Sequence, residues 1–303
     1  KNSLWVEKHR PDSLDGFVGN THILEKVKNY IKNNDVPHLL FYGKAGTGKT
    51  SLSKIITENI DCDVLEINAS DLSGIDVVRE KIKGFASQMG FKKWKIVFLD
   101  ESDYLTPNAQ ASLRNLMETF STSTRFILTC NYIEKIIEPI QSRCQMFEII
   151  PPSKKDVIKR MKEIMNIEKV KYDMDDLETL VNSSYPDIRS IINLIQQQVV
   201  EGELKLDESS SIQLNYMDEV LSVLKSKNDS TKNLNLIRKI ITDSKVKDFV
   251  PLYRFLFDNV DEFSGDNVEK TIKQISDYKY KDFFVGDKEI NVISMIFEIL
   301  RDK

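Results

Sequence analysis

Hydrophobic positions follow two alternating patterns in the first half of the chain. Between residues 36 and 151, short runs of apolar, mostly β-branched or aromatic residues alternate with segments whose apolar positions recur every three or four residues. Nearly continuous apolar runs are typical of strands in a parallel sheet that is buried on both faces. The five runs are HLLFY, DVLEI, KIVFLD, TRFILTC and CQMFEII. The segments between them predict helices over 48–58, 75–89 and 108–120, so we expect an α/β layered domain with right-handed crossovers.

The pattern changes after Pro151-Pro152. Proline cannot continue a strand ladder, and Ser153 is a suitable N-cap for a helix that begins at 154. We expect no strand beyond this point: residues 154–210 predict helices with one break at 183–186, and helical periodicity resumes after a polar stretch at 201–211. The chain therefore divides into three predicted domains, 1–153, 154–210 and 211–303.

Composition narrows the function classes. The 303 residues are 41% hydrophobic and 30% charged with a net charge of −4, which excludes wholesale disorder and a globally basic nucleic-acid binder. Any DNA contact must come from a local basic patch or from helix N-termini. The three cysteines lack metal-binding spacing and favour a reducing compartment. Neither a signal peptide nor a transmembrane run is evident, so we expect an intracellular, soluble protein with no membrane partner.

A glycine-rich segment fits the phosphate-loop pattern G-x-x-x-x-G-K-[ST]. It follows the apolar run HLLFY and opens the predicted helix, which is where a phosphate-binding loop belongs. Its glycines let backbone N–H groups face a phosphate, and the helix N-terminus adds positive potential. Lys49 is predicted to reach the β- and γ-phosphates of ATP, and the Thr50 hydroxyl to bind Mg²⁺. The predicted nucleotide-binding residues of this segment are Gly43, Lys44, Ala45, Gly46, Thr47, Gly48, Lys49, Thr50 and Ser51.

Three polar positions lie where they could complete an ATP site. Asp100 and Glu101 follow a buried run, and we predict that Asp100 holds Mg²⁺ while Glu101 activates the attacking water. Asn131 ends the next run and could sense the γ-phosphate. Each could instead be a solvated turn residue.

Arg189 falls in the first turn of a helix that Asp187 could cap. A cation at that position opposes the helix dipole, which suggests that Arg189 has an anionic partner. An ordinary surface arginine is an equal alternative.

In this order, the motifs resemble those of clamp-loader ATPases of the AAA+ superfamily, in particular the replication factor C small subunit and its phage counterpart. The similarity covers residues 4–200, and beyond them only a helical texture remains. It rests on LWVEKHRPDSLDGFVG, PHLLFYGKAGTGKT, LEINASD, GIDVVREKIKGFA, FLDESD, NAQASLRNLMETF, TRFILTCNY, PIQSRC and PDIRSIIN. The implied fold is an α/β AAA+ P-loop ATPase core with a parallel sheet, then a helical lid with a sensor arginine, then an all-helical oligomerisation collar.

The resemblance also implies roles for residues that the patterns leave open. Arg143, in Ser-Arg-Cys, would act as an arginine finger in trans on a neighbour's ATP; the alternative is a surface ion pair with Glu138 or Glu148. The N-terminal segment would cover the adenine, through Trp5, Val6, Arg10, Pro11, Val18 and Gly19. His9 replaces the tyrosine that the family usually has, which puts aromatic stacking in doubt there. Lys44-Ala45 replaces paired prolines, and Ser102 replaces a frequent alanine.

Two outer surfaces follow from the same resemblance. Helices after LEINASD and after the acidic motif would grip template DNA, through Gly74, Ile75, Arg79, Lys83, Asn108 and Arg114. Ser73 stands where the family often has a basic residue, and Arg79 and Arg114 could be ordinary helix-surface charges. A sliding clamp would receive Phe85, Met89 and Phe91, unless these side chains pack against the sheet.

The function that these motifs imply is that of a clamp-loader ATPase subunit. ATP and Mg²⁺ are the expected cofactors, and the expected partners are a sliding clamp, primer–template DNA and other loader subunits in a ring-shaped, pentameric hetero-oligomer. Hydrolysis would trigger release of the clamp onto DNA. The alternatives are another AAA+ motor, such as a branch-migration helicase or protein unfoldase, or a structural subunit that does not hydrolyse ATP. Residue usage favours the cytoplasm of an archaeon or of a phage-infected bacterium over a eukaryotic nucleus.

Overall fold

The computed structural model describes residues 4–71, 75–206, 208–226 and 229–302. Its internal contacts divide the chain into one unit of residues 1–204 and another of residues 205–303. Within the described ranges, no helix combines the length and the apolar character that crossing a membrane requires.

A five-stranded, wholly parallel sheet organises the first unit, with strand order β2-β3-β4-β1-β5. Each of the five apolar runs coincides with one strand to within one or two residues at either end, so the prediction of a parallel α/β sheet is confirmed. The strands are β1 Leu39–Tyr42, β2 Cys62–Asn68, β3 Trp94–Asp100, β4 Thr124–Cys130 and β5 Gln145–Glu148.

Helices cover both faces of this sheet. Side chains of α2 and α3 pack on one face, against residues such as Phe41 and Phe98. Side chains of α4, α5 and α6 pack on the other, against residues such as Leu99 and Leu128. These helices, with the short α1 that precedes them, are α1 Trp5–Lys8, α2 Thr21–Asn33, α3 Lys49–Asn59, α4 Ile75–Ser87, α5 Pro107–Thr119 and α6 Glu138–Gln141.

The expectation that all five strands are buried on both faces is wrong for the two edges. Val64 in β2 and Met146 in β5 are 42% and 46% exposed. The helical layers cover mainly β1, β3 and β4, whose residues are almost all buried. Each edge strand leaves several side chains near solvent, three in β2 and three in β5, which an apolar sequence run does not reveal.

Helices α7 Lys154–Ile167, α8 Met174–Ser184 and α9 Ile188–Gln198 complete the first unit. The caps are as predicted, since Ser153 accepts from the N–H of Asp156 and Asp187 from that of Ser190. A second break, at 168–173, separates α7 from α8. The absence of strands is also wrong: β6 Val199–Val200 and β7 Glu203–Leu204 form a hairpin. Two-residue strands are too short to show periodicity.

The second unit is helical throughout its described residues, as expected. A core of buried residues that includes Leu224, Ile241, Tyr253 and Ile296 holds its helices together. The helices are α10 Glu208–Lys225, α11 Ser230–Ser244, α12 Val250–Asp258, α13 Val268–Lys281 and α14 Lys288–Arg301. The predicted boundary between core and lid at residue 153, which lies inside the first unit, stays a prediction.

Candidate nucleotide site

The phosphate loop lies at the carboxyl edge of the sheet, between β1 and α3. All three of its glycines have positive φ and a close neighbour, and Gly46 and Gly48 show which segments cover the loop. Gly48 has φ +99°, and a Cβ there would lie 2.9 Å from the Phe17 ring. Gly46 has φ +73°, and the carboxylate of Asp187 occupies the space that its Cβ would need. The loop is therefore covered by the N-terminal segment on one side and by the start of α9 on the other, and neither position admits a larger residue without strain.

Lys49 opens α3 and is only 8% exposed. Its ammonium donates to the carbonyl oxygens of Gly43 and Lys44 and to Oδ1 of Asn131, each at 2.8 Å. Burial lowers the pKa of this lysine, while Asp100 and Asp103 oppose that effect. The structure thus brings together the lysine and the amide that the sequence placed on separate elements.

Two hard oxygen donors meet beside the loop. The Thr50 hydroxyl lies 3.0 Å from both carboxylate oxygens of Asp100, at the end of β3. Among the described residues there is no cluster of three His, Cys, Asp or Glu side chains that could hold a metal unaided. This donor set suits Mg²⁺, which keeps most of its ligands as water and phosphate oxygens and takes one or two from the protein.

Glu101 follows Asp100 with φ +56° and ψ 43°. Left-handed backbone is uncommon for residues other than glycine, and it turns the chain sharply out of the strand. Glu101 lines the same cavity as Lys49, Asp100 and Asn131. Asp100 and Glu101 therefore reach one site through different local backbone geometries.

Sequence reasoning assigned no role to Thr129 or Asp103. Thr129 donates to Asp100 and accepts from the backbone N–H of Glu101. Asp103, 8% exposed, accepts through Oδ2 from the N–H groups of Asn131 and Tyr132, both at 3.3 Å. Its other oxygen, Oδ1, is buried without a hydrogen-bond partner among the described residues. A small hydroxyl in an apolar run and the last acid of DESD carry no distinctive sequence signal.

The cavity at these residues has a volume of about 170 Å³. Its walls come from the phosphate loop, the strand ends, the N-terminal segment and the helices after residue 153. Of the predicted nucleotide-binding residues, those that line it are Val6, Arg10, Pro11, Val18, Ala45, Gly46, Thr47, Gly48, Lys49, Thr50, Ser51 and Arg189.

Four predicted contacts do not line the cavity: Trp5, Gly19, Gly43 and Lys44. Trp5 is buried, and its backbone N–H donates to Oε1 of Gln196 in α9 at 2.9 Å. Gly19 lies against Pro152. Gly43 and Lys44 present their carbonyl oxygens to Lys49. Trp5 and Gly19 therefore face neighbouring protein, and Gly43 and Lys44 contribute main-chain acceptors for Lys49.

The N-terminal segment joins the phosphate-loop helix to the helices after residue 153. Arg10 donates to the Ser51 hydroxyl at 3.2 Å. His9 is 8% exposed, lines the cavity, and bonds through Nε2 to the Glu168 carboxylate at 2.6 Å. Arg160 of α7, a further lining residue that the sequence did not single out, donates to the His9 carbonyl at 3.3 Å. His9, which replaces the usual tyrosine, is therefore held by hydrogen bonds to Glu168 and Arg160.

Comparison with known proteins decides the family. Residues 39–152 match the family described as ATPase family associated with various cellular activities (AAA). The replication factor C small subunit of Aeropyrum pernix is 42% identical over 250 residues, which cover 79% of this chain and 77% of that protein. This chain belongs to the replication factor C small subunit family.

Other comparisons define the extent of this likeness. The replication factor C small subunit of Sulfurisphaera tokodaii is 44% identical over 211 residues, covering 67% of this chain and 64% of that protein. The chain thus spans just under two thirds of that relative. The Thermotoga maritima RuvB Holliday junction branch migration motor superposes with a TM-score of 0.54 at 18% identity, covering 84% of this chain and 80% of that one. That similarity shows an AAA+ fold, as predicted, and no more.

In this chain, Arg143 lies between α6 and β5. It is not among the residues that line the cavity. Its guanidinium donates to the Pro139 carbonyl at 2.7 Å and pairs with Glu118 of α5. The side chain is 34% exposed. The alternative role for Arg143 was a surface ion pair with Glu138 or Glu148. Those partners are wrong, because α5 places Glu118 beside the guanidinium.

The predicted DNA-contacting residues lie on two helices that follow neighbouring strands. Arg79 and Lys83 are exposed on α4, and Asn108 is exposed in the first turn of α5. Arg114, partly buried, bonds to Asn115 of the same helix at 2.7 Å. Gly74 lies outside the described residues, and of Ile75 only the backbone at the start of α4 is described.

The predicted clamp-contacting residues separate into two environments. Phe85 is partly buried against the sheet, whereas Met89 and Phe91 are 96% and 100% exposed. The buried Lys95 ammonium donates to carbonyls at the end of α4, including that of Phe85 at 2.9 Å. Asp63 accepts from the Phe91 N–H at 2.9 Å. The loop at 88–93 therefore presents two apolar side chains on a backbone fixed from both sides.

Proposed function

We propose that this chain is the ATP-hydrolysing subunit of a DNA sliding-clamp loader, which opens a clamp and places it on primer–template DNA. The observation that carries the proposal is the convergence of Lys49, Thr50, Asp100, Glu101 and Asn131 on one cavity, in a member of the replication factor C small subunit family. Family membership supports the substrate class, and the donor set supports the chemistry.

Within the cavity, each side chain has a role that fits its surroundings. Lys49 already binds three oxygen acceptors and would exchange them for phosphate oxygens. Thr50 and Asp100 would hold Mg²⁺, which supplies charge neutralisation when bound. Glu101 orients or deprotonates the attacking water. Asn131, directly after β4, senses the γ-phosphate. Arg189 approaches from α9, with its positive charge set against the helix dipole.

Arg143 serves the neighbouring subunit in this proposal. It does not line its own cavity, and its contacts in this chain are on the surface. A guanidinium brought to a neighbour's γ-phosphate neutralises developing charge, an effect of about 10³–10⁵ in rate in other phosphoryl-transfer enzymes. Subunits assembled through residues 211–303 would bring each Arg143 to the next cavity.

DNA and the clamp contact separate surfaces. The exposed Arg79, Lys83 and Asn108 on α4 and α5, with Arg114, would bind template phosphates, in accord with a net charge that excludes a global attraction to DNA. Met89 and Phe91 would fill an apolar pocket of the clamp, where a few anchors supply most of the affinity. ATP binding orders the ring of subunits, which then opens and holds the clamp. Primer–template DNA triggers hydrolysis, and hydrolysis releases the clamp onto the DNA.

The test measures ATP turnover with primer–template DNA, in an assembly with partner subunits where these are required. Lys49→Ala and Arg143→Ala are measured separately and then mixed, after subunit exchange is verified. Each variant alone should be nearly inactive, and the mixture should recover turnover, because one subunit supplies the lysine and its neighbour the arginine. Lys54→Ala is the matched control: its side chain is 35% exposed and pairs with Glu66 at 2.9 Å, close to the exposure of Arg143.

Two results would contradict the proposal in different ways. A mixture that stays inactive although the subunits exchange excludes Arg143 acting in trans. ATP bound but not hydrolysed by the wild-type assembly, with clamp and DNA present, would instead indicate a structural subunit.

A further inference from the structure

The Thr129 hydroxyl bridges Asp100 and Glu101, the first two acids of the DESD motif. Its side chain is 1% exposed, and its oxygen lies 3.1 Å from the backbone nitrogen of Glu101. A backbone N–H can only donate, so the hydroxyl accepts there and directs its own proton to Oδ1 of Asp100. An ionised carboxylate can only accept, which makes this the consistent arrangement of the three groups.

The register of the sheet places Thr129 at this position. Leu99 in β3 pairs with Leu128 in β4, so Asp100 and Thr129 are neighbours at the next step. Side chains alternate between the two faces of a sheet, and Phe98 and Ile127 pack on the face covered by α3. Asp100 and Thr129 therefore emerge on that same face, toward the helix that carries Thr50.

The two bonds act on different properties of the site. The bond to Asp100 adds a second hydroxyl donor to a carboxylate that Thr50 already contacts at 3.0 Å, so its orientation is fixed from two sides. The bond to Glu101 holds the N–H of a residue with φ +56°, where the backbone leaves the strand. The direction of the Glu101 side chain depends on that turn.

We propose that Thr129 is a positioning residue that fixes the metal-binding orientation of Asp100 and the backbone of Glu101 at the same time. This inference rests on the proposed roles of Asp100 and Glu101 in ATP hydrolysis. Partners that orient metal ligands typically change metal affinity or activity by about 10- to 100-fold when they are removed. The effect reaches the reaction only through the two acids, because Thr129 itself transfers no proton and holds no phosphate.

The test compares Thr129→Val, which keeps the shape and removes the hydroxyl, with Thr129→Ser, which keeps the hydroxyl. The full chain is used, with partner subunits where turnover requires them. Thr129→Val should lower kcat about 10- to 100-fold, with a smaller change in the KM for ATP, and Thr129→Ser should stay within about threefold of wild type. Thr124→Val is the matched control, since Thr124 is fully buried at the other end of the same strand.

A second readout does not depend on turnover. Binding of a fluorescent ADP analogue is measured with Mg²⁺ and with EDTA. The gain in affinity that Mg²⁺ gives should shrink about tenfold in Thr129→Val and be restored in Thr129→Ser. Affinity in EDTA should be unchanged, because the phosphate loop is intact.

Wild-type kcat and an unchanged Mg²⁺ effect in Thr129→Val would overturn the inference. So would equal losses in the Val and Ser variants together with a lower melting temperature, or a similar loss in Thr124→Val, since these indicate packing of β4 alone. Glu101→Gln separates this failure from that of the proposed function. If Glu101→Gln keeps full turnover, the assigned role of Glu101 fails; if it is inactive while Thr129→Val is normal, only the inference about Thr129 fails.

Discussion

Lys49 and Arg143 are the two cations to which we assign roles in ATP hydrolysis, yet their surroundings differ. Lys49 is 8% exposed, and its ammonium has three oxygen partners at 2.8 Å, from the phosphate loop and from Asn131 after β4. Arg143 is 34% exposed and is held by Glu118 and by one carbonyl oxygen. All the partners of the buried Lys49 come from its own chain and lie at the cavity, whereas Arg143 lies on the protein surface away from the cavity.

The difference determines how easily each cation can change partners. Leaving a buried donor unpaired costs about 1–3 kcal/mol, and more for a charged group, so the Lys49 ammonium exchanges its partners only for other oxygens. An exposed ion pair contributes only about 0–1 kcal/mol, so Arg143 can leave Glu118 at little cost. This contrast fits a lysine that acts within its own subunit and an arginine that acts on the next one.

The largest expected effect comes from Arg143→Ala. Turnover of the assembled complex should fall by about 10³- to 10⁵-fold, because charge that develops on the γ-phosphate loses its neutralising partner. Nucleotide binding by the isolated chain, measured by fluorescence titration, should not change. Weakened binding in the isolated chain would show that Arg143 serves its own cavity.

Lys49→Ala should produce a smaller loss of turnover, about 10²- to 10³-fold, and also a loss of nucleotide binding by the isolated chain. The lysine is part of the cavity in each subunit, so both measurements should respond. Titration of the isolated variant with ATP provides the check. If the isolated Lys49→Ala chain bound ATP as wild type does, the contrast with Arg143 would be wrong, because Lys49 would then act only in the assembly.

Phe91→Ala tests a second exposed surface. Binding to the sliding clamp from the same source, measured by surface plasmon resonance, should weaken by about 2 kcal/mol, or roughly thirtyfold. The melting temperature and nucleotide binding should not change because the side chain is fully exposed. Ile167→Ala, at 58% exposure, is the control. Equal weakening in both variants would argue against a specific anchor.

The interior also predicts a pH response. Burial and the nearby Arg125 lower the pKa of His38 to about 4, and Nδ1 of His38 accepts from the Phe126 N–H at 3.1 Å. Below pH 6.5 the unfolded chain binds a proton that the folded chain does not, so stability is lost as the pH falls from 6.5 to 4. Allowing for partial exposure, wild type should lose about 1–2 kcal/mol more than His38→Asn over that range in urea denaturation. Parallel losses would show that His38 titrates normally.

The smallest expected effect comes from Glu118→Gln. The variant removes only the exposed partner of Arg143, so stability should change by less than about 0.5 kcal/mol and assembled turnover by less than about twofold. A loss of turnover as large as that of Arg143→Ala would indicate that the ion pair itself is the functional state, and the contrast with Lys49 would disappear.

Motif-based reasoning performed best where chemistry requires a fixed order of residue types. The phosphate loop, the acids after β3 and Asn131 after β4 were each predicted from a strand followed by a particular polar residue, and they line one cavity. The same reasoning placed Trp5 and Gly19 at the nucleotide, although they face protein. A motif identifies a segment, but it does not tell which way each side chain of that segment points.

Contacts between distant residues were beyond sequence reasoning for a physical reason. His9 and Glu168 are 159 positions apart, and Arg143 and Glu118 are 25 apart. Such pairs depend on how helices pack, and one sequence carries no record of that packing. Arg160 looked like any exposed charge on a helix, yet it reaches the His9 carbonyl at the cavity.

By itself, the sequence determined the parallel sheet, the mainly helical remainder and the candidate reacting groups, because hydrophobic periodicity and phosphate-binding motifs are local properties. Only the tertiary structure decided how these groups are supported. It set Thr129 beside Asp100 through strand register, buried Asp103 beneath the end of β4, and left Phe91 fully exposed while Phe85 packs on the sheet. Register and burial arise when distant segments exclude water together, so no local pattern contains them.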